Sequence, residues 1–266
     1  MSTIHASAII EDGAIIGDNV SIGAFACIGA NVSIGEGTII DSHAVIAGHT
    51  RIGKHNHIFS HTAIGTIPQD LKYKGEKVEL IIGDHNTIRE FTLLNPGTQG
   101  GGSITKIGDH NLLMAYVHLG HDVIIGNHCI LANGATLAGH VELGNHIVIG
   151  GLTPVHQFVH IGDYAMIGGA SALAQDIPPF CLAEGNRASL RGLNLTGLRR
   201  NIPREEINAL KTAYRMLFEA QQPLQESVEA ILLSKPSESV EYLCRFIQAS
   251  KRGIPFKRTK NNEDKK

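Results

Sequence analysis

The sequence predicts a mainly β protein: a three-sided parallel β-helix followed by a small α-helical domain. Three observations predict it. Isoleucine recurs at every sixth position from Ile4 through Ile64 without a miss. The same beat resumes after each of two interruptions. Beyond the pair Pro178–Pro179 the apolar period becomes that of amphipathic helices.

A six-residue beat fits neither a helix nor a plain strand. Hexads such as "IGDNVS", "IGANVS" and "IGDHNL" read aliphatic, then small, then two polar residues, then small or β-branched. A two-residue strand ending in a tight turn satisfies that pattern, with the aliphatic side chain turned inward. Three such sides close one coil, and coils stack about 4.8 Å apart, as parallel strands do. One coil buries little, whereas a stack shares a continuous core. The first interruption, "TIPQDLKYKGEKVEL", keeps the phase, because Ile82 stands eighteen residues after Ile64. The second, "NPGTQGGGSITK", shifts it by one, and a third run continues from Ile107 through Leu173. The interruptions are predicted to be loops, about 65–81 and 95–106, leaving a β-helix over 1–178.

The helical domain is predicted over 179–266. In "PREEINALKTAYRMLFEA", Ile207, Leu210, Tyr214 and Leu217 fall at helical spacing behind Pro203 and two glutamates. "PSESVEYLCRFIQAS" repeats the pattern with Val240, Leu243 and Ile247. "RASLRGLNLTGLRR" and "LQESVEAILL" read as further helices, and the mixed-charge tail "KRTKNNEDKK" as frayed.

Composition narrows the function. A net charge of -2 and a pI near 6.7 give no bulk attraction for nucleic acid. Cys27, Cys129, Cys181 and Cys244 lie far apart, with no CxxC pair, and read as reduced thiols of a cytoplasmic protein. The N-terminus does not read as a secretory leader, and no apolar run approaches a membrane span of roughly 18 residues. "GTQGGGSITK" lacks the ending of a phosphate loop and sits between strands.

Periodicity also suggests a site. Leu119, Leu137 and Val155 are eighteen apart and stack on one side, with His118, His121, His140 and His156 beside them. The stacking brings these histidines within roughly 5 to 15 Å along the axis. His43, His49 and His85 fall at polar positions of the repeat and read as inert turn residues.

The hexad pattern resembles that of the hexapeptide-repeat proteins, which implies a left-handed parallel β-helix of hexapeptide repeats with a C-terminal α-helical domain. Within that class, "NLLMAYVHLGHD", "CILANGATLAGHVELG", "IGGLTPVHQF" and "QDLKYKGE" resemble the UDP-N-acetylglucosamine O-acyltransferases. The resemblance implies transfer of an (R)-3-hydroxyacyl group from acyl carrier protein to the sugar 3-hydroxyl, the first step of lipid A synthesis. It further implies a homotrimer with sites in grooves between neighbouring prisms, and no metal or other cofactor. By matching position His121 is the general base, Asp122 its partner, and the N–H of Gly139 the oxyanion donor. Successive strand residues face opposite ways, so His121 and Asp122 can cooperate only at a corner or irregular turn. The resemblance assigns Asp70 and Lys72 of the first loop to the acyl hydroxyl and sugar nucleotide. It also makes His118, His140, His156 and Gln157 substrate contacts, Gly169 a limit on acyl length, and Asn194 and Arg200 nucleotide contacts. Arg199, Arg200 and Lys72 are candidate contacts for the acidic carrier protein. Two departures stand out: Asn95-Pro96 replaces a histidine–arginine pair, and Asn201 replaces a second cap arginine. Asn95 leaves open a 3-amino sugar acceptor and an amide product. Other readings of the prism are a trimeric zinc enzyme like the γ-class carbonic anhydrases, an acyl-CoA-dependent sugar acyltransferase and a structural solenoid.

Overall fold

The structure is a computed structural model and describes residues 2–257. Residues 258–266, most of the tail expected to fray, lie outside the described residues. Three parallel sheets form the faces of a prism. The first face has 11 strands, from Thr3–Ile4 through Met166–Ile167 to a terminal hairpin; the second and third have 8 strands each. Strands pair in register from coil to coil, Leu94 with Leu119, Leu119 with Leu137, and Leu137 with Val155. The hexad isoleucines and leucines from Ile22 to Ile167 point inward and are almost fully buried. Burying each contributes roughly 1.5 to 3 kcal/mol.

Small residues two positions before each aliphatic fill the inner corners: Val20, Ala26, Val32 and Ala44 are at most 1% exposed. Asn56, Asn86 and Asn111 take the same place and satisfy themselves as a ladder. Each Oδ1 accepts the next coil's N–H at 2.8 Å, from Asn86, Asn111 and Cys129 in turn.

The corners turn through residues with φ near +60°, many of them histidine or aromatic. Rings at one corner stack down the prism. His55, His85, His110, His128 and His146 form a column with 4.8 to 5.1 Å between neighbouring centroids. His43 and His85 are thus stacking residues of two corner columns, while His49 opens a strand of the third face. Burial is the main cause holding His146 below its usual pKa, and the charge of His128 adds to it against Asp163. Asp84, Asp109 and Asp163 flank the column, but their Oδ1 atoms accept backbone N–H groups. A histidine whose folded pKa is depressed contributes stability above its unfolded pKa and loses it as pH falls through that range. The melting temperature is therefore expected to drop as pH falls below about 6.5, and a flat profile there would contradict the burial of His146 in its neutral form. Replacing His146 with phenylalanine should lessen the drop.

Both loops leave the prism from the second face, after Ile64 and Leu94, in place of the corner turns that lead to the third face. They are shorter than the sequence suggests. Glu79–Ile82 and Ile104–Ile107 are four-residue strands paired along their whole length, so the excursions end at residues 78 and 103. The parallel ladder also runs past Pro178–Pro179: Cys181–Glu184 pairs with Met166–Ile167. It then turns into an antiparallel hairpin with Ser189–Leu193. The first half of "RASLRGLNLTGLRR", read as helix, is therefore strand, because its backbone completes the edge of the first sheet. Helix α1 follows at Leu195–Asn201. Helix α2, Arg204–Tyr214, continues as a π-helical turn over Arg215–Glu219, and α3 (Leu224–Leu233) and α4 (Glu238–Ala249) complete the domain. No described helix is long and apolar enough to cross a membrane.

Candidate active site

His121 and Asp122 form the corner between the second and third faces, just after the strand His118–Leu119. Asp122 takes φ 60°, the left-handed region. That turn removes the strand alternation, so the two neighbours in sequence face one another: His121 Nδ1 lies 2.8 Å from Asp122 Oδ2. An ionised carboxylate only accepts, so Nδ1 carries the proton and Nε2 keeps its lone pair. The Asp122 side chain is 1% exposed and that of His121 is 18% exposed. Buried charge needs donors, and Asp122 has them: Thr98 N–H donates to Oδ1 at 2.9 Å and Thr98 Oγ1 to Oδ2 at 2.6 Å. The Asp122 N–H in turn donates to Thr105 Oγ1 at 2.8 Å.

One coil on, Gly139 occupies the corner position of His121, and His140 that of Asp122. The His140 and His121 rings meet edge to face at 5.0 Å, and His140 stacks on Phe158 at 4.3 Å. Burial, chiefly, lowers the pKa of His140; the Asp122 charge opposes this and the His121 charge adds to it. At neutral pH His140 is therefore an uncharged donor or acceptor. A Cβ built on Gly139 would stand 2.5 Å from His121 Cε1 and 2.7 Å from Nε2. Any side chain at 139 would occupy the space of the imidazole. The Gly139 N–H has no acceptor among the described residues, so beside the Nε2 lone pair stands a free backbone donor.

A groove of about 1370 Å³ runs along this corner, lined by Asp70 and Lys72 of the first loop, Thr98 of the second, and His140, Phe158 and His160 of the prism. Asp70 Oδ1 accepts the Lys72 N–H at 2.9 Å, which folds the loop tip into a turn. The structure therefore gathers Asp70, Lys72, His121, Asp122, Gly139 and His140. The four histidines singled out by the repeat separate into two kinds. His121 and His140 touch, whereas His118 stands half-buried on the second face and burial lowers its pKa. His156 is exposed one coil beyond Ala138, where its Nδ1 lies 3.1 Å from the carbonyl oxygen of its exposed neighbour Gln157.

Three candidates lie elsewhere. Gly169 is exposed at the corner between the first and second faces. Asn194 is buried: its Oδ1 accepts the Gly197 N–H to cap α1, and its Nδ2 donates to the Tyr164 carbonyl. Tyr164 marks the corner between the third and first faces, and Arg200 is exposed on α1 behind it. Asn95 is buried under the first loop, with Nδ2 3.4 Å from the Ile67 carbonyl and no partner for Oδ1 among the described residues.

The nitrogen and oxygen atoms of His121, Asp122 and His140 lie within 4.8 Å of one another, close enough to suit a metal ion. Both Asp122 oxygens are already held by Thr98 and His121, so a cation there would have to break the dyad.

Sequence reasoning missed Thr98, Thr105 and Phe158. Phe158 was readable, since it stands eighteen residues after His140. Thr98 and Thr105 reach Asp122 only through the second loop and the third face, and no spacing announces them.

Comparison with known proteins gives one direction. A family model described as UDP N-acetylglucosamine O-acyltransferase, domain 2, matches residues 176–255, and a bacterial transferase hexapeptide model matches 104–139. The chain is 75% identical to an acyl-[acyl-carrier-protein]–UDP-N-acetylglucosamine O-acyltransferase of Sulfurovum sp., over 97% of this chain and 99% of that one. It is 53% identical to the same enzyme of Campylobacter lari, over 98% and 100%. The solved UDP-N-acetylglucosamine acyltransferase from Campylobacter jejuni superposes with a TM-score of 0.93 at 50% identity, covering 96% of this chain and 100% of that one. An Arabidopsis UDP-N-acetylglucosamine acyltransferase does so at 0.85 and 35% identity, over 96% and 100%.

Proposed function

The chain belongs to the UDP-N-acetylglucosamine O-acyltransferase family, and on that premise we propose that the corner at His121 is its catalytic centre. The chain is an acyl-[acyl-carrier-protein]–UDP-N-acetylglucosamine O-acyltransferase. It moves an (R)-3-hydroxyacyl chain from acyl carrier protein to the 3-position of the sugar, the first step of lipid A synthesis. The observation that carries the assignment of the centre is the His121–Asp122 pair at 2.8 Å, with Nε2 left free.

A sugar hydroxyl attacks a thioester poorly until a base takes its proton. His121 Nε2 takes that proton as the sugar oxygen bonds to the carbonyl carbon, and Asp122 stabilises the resulting imidazolium. The carbonyl oxygen becomes an oxyanion, and the Gly139 N–H donates to it. Collapse breaks the carbon–sulfur bond, the thiolate of the carrier leaves, and it recovers the proton from His121. Histidine and a backbone donor suffice, so the reaction needs no metal. Uncharged His140 hydrogen-bonds the substrate without repelling the imidazolium, while Asp70 and Lys72 close over the acyl hydroxyl and the nucleotide. His118, His156 and Gln157 extend the contacts along the groove.

The working unit is a cytoplasmic homotrimer. What supports the trimer is that Gly169 and Arg200 are exposed away from the His121 corner, so that they reach its groove only from a neighbouring chain. The outward side chains of the first face, among them Ile39, Leu112, Ile130, Val148 and Met166, are also apolar enough to pack against one. Arg199, Arg200 and Lys72 are the contacts for the acidic carrier protein. The test is transfer from defined hydroxyacyl carrier-protein thioesters to UDP-N-acetylglucosamine and to its 3-amino analogue, with products weighed by mass spectrometry. One acyl chain on the sugar is expected, from a particle with the mass of three chains; no acylated product from either sugar would refute the reading. Activity lost together with stoichiometric zinc would favour the carbonic-anhydrase-like alternative.

A further inference from the structure

We propose that Thr98 is a positioning residue for the His121–Asp122 pair, setting the basicity of the base from the second loop. It rests on the reading of His121 as the base. Among the described residues Asp122 meets no lysine or arginine, and it is buried, so its charge is shared among hydrogen-bond donors. Thr98 supplies a donor to each carboxylate oxygen, and its Oγ1 shares Oδ2 with His121 Nδ1. An oxygen with two donors concentrates less charge on either one. The hydroxyl of Thr98 therefore weakens the pull of Asp122 on the imidazolium. The same two bonds fix the carboxylate plane, and with it the oxygen that His121 Nδ1 meets.

The loop is built to deliver this residue. The Thr98 carbonyl accepts the N–H groups of Gly101 and Ser103, both at 2.9 Å, so the backbone is pinned by a tight turn over Gln99–Gly101. A Cβ on Gly101 would overlap the Asp122 carboxylate, so the turn can press onto Asp122 only with glycine there. From below, Thr105 Oγ1 accepts the Asp122 N–H. Thr98 is 5% exposed and Asp122 is 4% exposed, so water is not a substitute donor.

Thr98→Val keeps the shape and the backbone N–H and deletes only the hydroxyl; Thr98→Ser restores it. With Thr98→Val, kcat/KM at pH 7 is expected to fall about tenfold. The acid limb of its pH profile should move to higher pH, so that much of the rate returns in alkaline buffer, while Thr98→Ser stays near wild type. In selectively labelled protein, the His121 ring signal should also titrate at higher pH in Thr98→Val, with no substrate present. A wild-type rate in Thr98→Val overturns the proposal, and so does a loss that is equal at every pH. The ring titration separates this from the function assigned above. A shifted ring signal in a chain that transfers no acyl group leaves Thr98 in place and removes the reaction, whereas an unshifted signal in an active chain removes Thr98.

Discussion

Replacing His121 with alanine is expected to lower acyl transfer by about 10³-fold, within the range that a general base supplies. The variant should still fold and assemble. The imidazole sits at a corner and, among the described residues, makes one hydrogen bond, to Asp122, which keeps both donors from Thr98. Losing one charge-assisted bond costs about 1.5 to 3 kcal/mol, small against the stability of a prism with this much buried aliphatic surface. The decisive measurements are the single-turnover rate with the carrier thioester, the thermal melt and the sedimentation mass. A near-normal rate in the alanine variant would remove His121 from the mechanism. A rate restored by added imidazole would locate the missing group at Nε2.

The second large effect comes from one added methyl group. Gly139→Ala keeps the backbone N–H, so the proposed oxyanion donor is unchanged. Its Cβ, however, would lie 2.5 Å from His121 Cε1, a separation that real Cβ atoms do not tolerate. The imidazole must swing away, either off Asp122 or into the groove. Since misplacement of a reacting group by about 1 Å can cost on the order of 10²-fold, kcat is expected to fall by about that factor. The melting temperature should change little, because the ring has a groove to move into. A Gly139→Ala enzyme with wild-type kcat would mean that His121 does its work from another position. The two variants are informative together. If both act only through the same imidazole, the double variant should be no slower than His121→Ala alone.

The residues differ sharply in how legible they were. The faces of the prism could be read from the sequence because one inward aliphatic per hexad is a local requirement repeated at every coil. The same count placed Leu137 over Leu119 and Val155 over Leu137. The pairing of His121 with Asp122 depends instead on a left-handed backbone at Asp122, for a residue type that adopts it only occasionally. Asn194 matched a nucleotide-contact position, yet its amide caps α1 and holds the Tyr164 carbonyl, a role set by how the helical domain docks. The strand Ser189–Leu193 was read as helix because its partner Cys181–Glu184 offers a sheet edge that no sequence window reveals.

By itself, then, the sequence determined a period, and with it the three faces, the buried aliphatic column, the two excursions and the change to helices, since each follows from side chains a fixed count apart. Tertiary structure alone decided which polar atoms meet at the reacting corner. Thr98 and Thr105 converge on Asp122 through a loop and a neighbouring face. Hydrogen bonds of 2.6 to 2.9 Å are set by where backbones come to rest, which depends on the packing of the entire stack rather than on the spacing of any one motif.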